Sequence, residues 1–328
     1  MYATKDPAGF DVLVPERYDE DFEYFTAKNL PEANAYFDAH GYVVLRGCLE
    51  PEACEQVKKS FDAGIKSYPG YLFRQTGADA QKNVINEHGF LMNPILNVQD
   101  VPDKLVPDFR ADALKVLCNE IVGKYLTLRF GERPSIVQTM YFEGNSETWP
   151  HQDTYYLDSE KIGTMVAAWY ALEDIDPGAG RFFVYEKSHL IDVRKNGGDF
   201  DIAFNHDRYK KLILSMIKDN TLTCKAPALR RGDVLLWHSK TIHGSLRTTQ
   251  PNSSRSSMTA HLIPESHKFL QFQSIDKKLN YRTVNGWKVN HPKPLDEFRP
   301  KLMLGIESTF PKGFAVAKAL AIKTMLRA

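Results

Sequence analysis

Cysteine is scarce. The four present, Cys48, Cys54, Cys118 and Cys224, are too few and too scattered for a disulfide framework, and no Cys-x-x-Cys pair offers a zinc site. Each reads as a small buried apolar residue. An excess of charge of either sign is also lacking, since 42 basic and 41 acidic residues leave a formal net charge of +1 with the two signs interspersed. Without a basic stripe, nucleic acid is not an expected partner. Long apolar runs are missing too, and no stretch approaches the ~20 residues of a membrane span. The opening MYATKDPAGFDVLVPERYDEDFEYF is acidic, unlike a secretory leader. Together these absences predict a reduced, cytoplasmic setting.

What is present is an ordinary globular composition, 43% hydrophobic over 328 residues, with no repeat and no low-complexity segment. The chain reads as helices first and strands later. LPEANAYFDAH predicts a helix ending near His40, Tyr42 to Leu45 a strand, and Glu50-Pro51 the opening of a second helix, because proline suits a first helical turn. DFRADALKVLCNEIVGKYL spaces Leu114, Leu117, Ile121 and Tyr125 at helical intervals. These segments predict a supporting helical layer. From Pro134 onward SIVQTMYFE, GTMVAAWYAL, RFFVYE, TLTCKA, DVLLWHS and SSMTAHLI are short β-branched or aromatic runs between turn residues, the pattern of a sandwich or barrel. A helix, HDRYKKLILSMIKD, interrupts them. One domain is expected: helical support with one or more core strands over 1–130, the barrel over 131–264, and an extension over 265–328. In that extension PKGFAVAKALAIKTMLRA predicts a packing or capping helix in preference to a membrane-surface one, because its basic face is thin. Lys312 is placed outside it, Lys323 and Arg327 on one face and Lys318 on the other.

The chemistry gathers around HQD. On a strand, residues i and i+2 point to one side, so His151 and Asp153 can share a barrel interior. A third ligand must come from elsewhere, with His206, His238, His243, His261 and His267 as candidates. His243, about 90 residues after the HQD and followed by Arg255 about a dozen residues on, completes a specific spacing. Two histidines and one carboxylate on one face of a metal form the facial triad of non-haem Fe(II) oxygenases.

The chain resembles the phytanoyl-CoA dioxygenase family of Fe(II)/2-oxoglutarate-dependent oxygenases. The resemblance rests on HQD (His151, Gln152, Asp153), Trp169 in AAWYALEDID, GRFFVYEKSH ending in Ser188-His189, and HGS (His243, Gly244, Ser245) followed by Arg255. It covers roughly Gly41 to Pro264 and implies a mainly β fold with flanking helices around a double-stranded β-helix (jelly-roll, cupin-like) core. It further implies Fe(II) as cofactor, held by His151, Asp153 and His243, with 2-oxoglutarate and O2 as co-substrates. The implied reaction hydroxylates an unactivated C–H bond of a small metabolite and releases succinate and CO2.

Arg255 is the candidate for the far carboxylate of 2-oxoglutarate, because a planar guanidinium pairs bidentately with a carboxylate. Ser245 is an added donor and Arg247 a rival. Gln138 is the co-substrate contact by resemblance, though equally an exposed strand residue; Tyr141, three residues on, should face the other way unless a bulge intervenes. Trp169 can wall the pocket, pack the core, or both. Candidates for the substrate opening are Arg74, Asn86, His88, Tyr155 and Arg181, each also readable as a surface or packing residue. Arg74 and Arg181 together suggest an anionic substrate. The altered GAGRFFVYEKSH segment places Arg181 and Glu186 where a different substrate wall would be. Oxidative cyclisation or desaturation, a non-catalytic cupin-like binding barrel and a zinc hydrolase are the competing readings.

Overall fold

The computed structural model describes residues 1–20, 23–77, 79–103, 106–191 and 205–327. Its core is a jelly roll of two main sheets. The larger runs, in spatial order, through Tyr281–Val284, Trp287–Asn290, Pro134–Phe142, Ser257–Pro264, Val166–Ala171, Val234–His238 and Tyr42–Leu45, with Ile95–Leu96 also pairing with Pro134–Phe142. The smaller runs through Tyr2–Lys5, Asp11–Val14, Cys224–Lys225, Phe182–Tyr185, His243–Ser245 and Thr148–His151.

The period-two alternation of the strands sorts side chains between two cores. Ala168, Tyr170, Leu236, Met258 and Ala260 join a cluster shared with the N-terminal helices. Ala167, Trp169, Leu235 and Trp237 join Tyr42, Val44 and Phe182 on the other face. With both faces covered, these strands read as unbroken apolar runs. The smaller sheet is backed by the His206–Asp219 helix, whose Tyr209, Ile213, Met216 and Ile217 recur on one side and pack with Val12, Val14 and Tyr185.

The helical layer comprises Leu30–His40, Pro51–Ser60, Pro107–Leu117 and Glu120–Phe130. The first ends where Gly41 enters the left-handed region (φ 83°) and its N–H donates to Phe37 O. A side chain there would also collide with His189 and Thr241, so glycine serves both the turn and the packing. The strand Tyr42–Leu45 follows at once and pairs with Val234–Trp237. The continuous helical run expected over DFRADALKVLCNEIVGKYL is in fact two helices, broken at Cys118-Asn119. Asn119 accepts a hydrogen bond from Val122 N (3.0 Å) and donates to Cys48 O (2.9 Å), and a capping asparagine starts a new helix better than it continues an old one. Leu114, Leu117 and Tyr125 remain buried on the sheet side, which is why the period survives the break.

Both ends of the chain add to the sheets. The Tyr2–Lys5/Asp11–Val14 hairpin extends the smaller one by a parallel pairing of Leu13 with Lys225. The segment after Pro264, which carried no motif, supplies the Tyr281–Val284/Trp287–Asn290 hairpin, laid parallel on Pro134–Phe142. Two helices follow, Phe298–Thr309 and Pro311–Arg327. Lys312, expected before the last helix, lies in its first turn, because Pro311 opens it. The side chains of Lys323 and Arg327 lie outside the described residues. All four cysteines are free and buried; burial pushes the Cys48 and Cys118 thiols up to about 12 and Cys54 up to about 11, as inert packing residues require. No helix among the described residues is long and apolar enough to cross a membrane.

Candidate metal centre and its cavity

His151 ends the Thr148–His151 strand, and the chain then turns so that Asp153 opens a short 3-10 segment, Asp153–Tyr155. His243 begins the neighbouring strand and is paired directly across from His151. One donor atom from each of His151, Asp153 and His243 falls within a 4.8 Å group. Asp153 Oδ1 lies 3.8 Å from His151 Nε2 and 3.5 Å from His243 Nε2.

Both imidazoles are oriented by their other nitrogen. His151 Nδ1 is 2.9 Å from Trp149 O, and His243 Nδ1 is 2.9 Å from Thr241 O. A carbonyl can only accept, so Nδ1 carries the proton and Nε2 is left as a lone-pair donor facing the cavity, the tautomer a metal needs. Burial, with His243 close by, holds His151 down to about 4, hence neutral. Burial opposes ionisation of Asp153, but His243 and His261 outweigh it and hold the carboxyl well below the usual range. Trp237 Nε1 donates to Asp153 Oδ2 at 2.9 Å, and His261 Nε2 lies 3.5 Å from the same oxygen. One carboxylate oxygen is thus held by the protein while the other faces the two histidines.

These groups line a cavity of about 560 Å³ between the sheets. Arg255 lines it as well. It is buried, Nη1 donates to Gly180 O at 2.9 Å, and Nε has no hydrogen-bond partner among the described residues. Burial lowers its pKa to about 10, which still leaves it charged near neutrality. Ser245 is on the wall, its hydroxyl donating to Asn145 Oδ1. Gln138 lines the cavity with Met140 and Phe142, two and four residues on, whereas Tyr141 faces the helices and stacks on Phe61. The bulge sits opposite His261/Leu262, before this stretch, so the alternation from Gln138 to Phe142 is regular. Trp169 is at once a cavity wall and part of the interior cluster.

Arg247 is the exposed member of the arginine pair. It is 79% accessible and forms an ion pair with Glu147 at 2.9 Å.

The expected substrate contacts are elsewhere. Arg74 is fully buried and donates to Gln81 O, Asn93 O and Asn83 Oδ1, holding its own loop together. Arg181 is equally buried and donates to Pro15 O and Ile175 O, tying the N-terminal strand down. Asn86 closes a turn through the N–H groups of His88 and Phe90, and His88 is exposed beside Glu87. Tyr155 packs against Tyr209 in the core behind the smaller sheet. None of the five lines the cavity. Glu186 pairs with His40 and does not line the cavity, whereas Phe182 of the same GRFFVYEKSH segment does. The residues that do line its rim include Gln75, Thr76, Tyr156, His206 and Lys210.

His261 and Trp237 are the inner residues that sequence reasoning did not select. His261 stood among five candidate third ligands, and its even separation from Arg255 was a usable sign that both face one way. Nothing local marked Trp237 as a partner of Asp153.

A histidine–aspartate–histidine cluster inside a jelly roll, on a cavity that also holds a buried arginine with no carboxylate partner among the described residues, defines an enzyme of the non-haem iron, 2-oxoglutarate-dependent kind. The family model for phytanoyl-CoA dioxygenase (PhyH) matches residues 37–257, and the chain belongs to that family. It is 25% identical over 269 residues to "Phytanoyl-CoA dioxygenase domain-containing protein 1" of Bos taurus, covering 69% of this chain and 87% of that protein. The Danio rerio protein of the same name is 24% identical over 266 residues, with the same coverage. Among solved structures, the non-haem α-ketoglutarate-dependent epimerase SnoN from nogalamycin biosynthesis superposes with a TM-score of 0.54 at 16% identity, over 80% of this chain and 98% of its own. The carbocyclase SnoK from the same biosynthesis gives 0.53 at 17% identity, over 75% and 88%. At such identities these two speak for the fold.

Proposed function

We propose that this protein hydroxylates an unactivated C–H bond of a small, largely apolar metabolite, with Fe(II) held by His151 Nε2, Asp153 Oδ1 and His243 Nε2. The observation that carries the reading is that two imidazoles oriented by backbone carbonyls, one ionised carboxylate and buried Arg255, whose Nε has no hydrogen-bond partner among the described residues, line one cavity. Three protein ligands leave open positions for a chelating keto acid and dioxygen, and a carboxylate in the ligand set leaves no vacancy for halide. Bound there, iron with 2-oxoglutarate and O2 supplies the oxidising power, and succinate and CO2 are the by-products.

The chain's own residues do the rest. Arg255 receives the distal carboxylate of 2-oxoglutarate, with Ser245 and Gln138 as neutral donors nearby. Trp237 and His261 keep Asp153 Oδ2 from turning toward the metal. Met140, Phe142, Trp169 and Phe182 exclude water and shape the apolar wall. An anionic substrate is no longer supported by Arg74 and Arg181, since both are spent on protein acceptors; Lys210, 5.5 Å from the Trp149 ring at the rim, is the cation positioned to meet a polar end group.

The test is an anaerobic titration of iron-reconstituted protein with 2-oxoglutarate. The weak visible charge-transfer band of a chelated keto acid should appear in the parent protein and be lost in Asp153→Ala and His243→Ala. Iron binding without the band would leave a metal-binding barrel. Turnover with Zn(II) in place of Fe(II) would make it a hydrolase.

A further inference from the structure

The two C-terminal helices are not buried as packing helices would be. On Phe298–Thr309, Pro300, Leu304, Glu307 and Ser308 face inward, while Leu302, Met303 and Ile306 are exposed, with Phe310 continuing the stripe. On Pro311–Arg327, Phe314, Lys318 and Ile322 are half-buried, and Val316 and Leu320 are 62% and 59% exposed. The spacing of four puts each exposed set on one outward stripe. Phe298, 78% exposed, stands at the start of the first helix. Solvent-facing apolar residues scattered singly need no explanation, but a contiguous set does.

Charge indicates what covers it. From Phe298 to the end the sequence holds six basic residues, Arg299, Lys301, Lys312, Lys318, Lys323 and Arg327, against one acid, Glu307, and Glu307 is buried. The chain as a whole carries +1, so the positive charge is local to this segment. Arg299, Lys301 and Lys312 are exposed beside the apolar stripes. A second copy presenting the same face would bring like charges together, which opposes self-association. An apolar stripe flanked by bases matches the boundary between anionic headgroups and acyl chains. We infer that the Phe298–Thr309 and Pro311–Arg327 helices dock this protein on an anionic membrane surface. The Phe298–Thr309 helix also packs on the Ala80–Gln81 strand, and Lys318 Nζ reaches Gly77 O (3.5 Å) in the loop whose Gln75 and Thr76 line the cavity. One short hairpin therefore joins the docking face to the cavity rim.

The test is co-sedimentation of the full chain with vesicles of phosphatidylcholine alone and of phosphatidylcholine with phosphatidylserine. Binding should require phosphatidylserine, weaken steeply with added salt, and fall about fivefold in each of Lys301→Ala and Lys312→Ala. The double variant Ile306→Asp, Leu320→Asp should lose it while keeping its melting temperature, since both side chains are exposed. Equal recovery with and without vesicles would overturn the inference, as would binding indifferent to phosphatidylserine. A dimer in light scattering that the double variant converts to monomer would also overturn it, by making the face a contact between copies. None of these readouts depends on iron, so the docking face and the proposed reaction stand or fall separately.

Discussion

Replacing Arg255 by alanine deletes a buried guanidinium whose desolvation folding has already paid, with Nη1 committed to Gly180 O and Nε without a hydrogen-bond partner among the described residues. A carboxylate arriving at that edge makes two charge-assisted hydrogen bonds, each worth about 1.5 kcal/mol or more. Their loss costs about 3 kcal/mol, which raises the Kd for 2-oxoglutarate on the order of a hundredfold. Arg255→Lys should fall between, because an ammonium keeps the charge but not the planar fork. The assay is the anaerobic band titration of iron-loaded protein, with a thermal melt showing that the variant is folded. Arg247→Ala is the internal control: its partner Glu147 is a surface ion pair, worth ~1 kcal/mol at most, and the titration should not move. An Arg255→Ala protein that binds iron and keeps the parental Kd would refute the assignment, and a weakened Arg247→Ala would transfer the role.

Trp237→Phe keeps an aromatic ring but removes the donor to Asp153 Oδ2, so iron affinity measured by chelator competition should drop about 10- to 100-fold; parental affinity would mean that His261 suffices. Gly244→Ala places a methyl 2.4 Å from Thr148 O and 2.7 Å from the Phe183 ring, between the strands that carry His151 and His243. It should cost about 1–3 kcal/mol and loosen iron binding, and a variant that melts and binds like the parent would contradict the close strand approach. Glu173 is bonded by Lys58 (2.5 Å), Ser254 Oγ (2.7 Å) and Ser256 N (2.5 Å), and although burial raises its carboxyl, these partners bring it below the ordinary value. A depressed folded value means that its stabilisation is complete above the unfolded pKa of ~4.3 and is lost as pH falls through the folded one. Glu173→Gln should therefore melt earlier than the parent at neutral pH and show a shallower loss on acidification; parallel pH curves would exclude this source.

What the amino-acid sequence determined by itself is local. The helix over His206–Asp219 follows from apolar residues three and four apart, and the strand Tyr42–Leu45 from a β-branched run between Gly41 and the turn at Gly47. His151 and Asp153 could be paired because two-residue spacing sets a common side, and the spacing to His243 and Arg255 singled out two more positions. Where a local rule was overridden, another local residue did it, as Asn119 did when it ended one helix and capped the next.

The tertiary structure decided which polar side chains meet the cavity. Arg181 is turned away by Pro15 O, 166 residues distant in sequence, and Arg74 by carbonyls across its own loop. No periodicity reports such partners, because a buried guanidinium goes wherever unpaired acceptors are brought to it. The same holds for Trp237, His261 and Asp153, drawn together from separate elements by the pairing of sheets, and for the C-terminal helices, whose apolar stripes would serve equally as core or as surface until the fold leaves them outside.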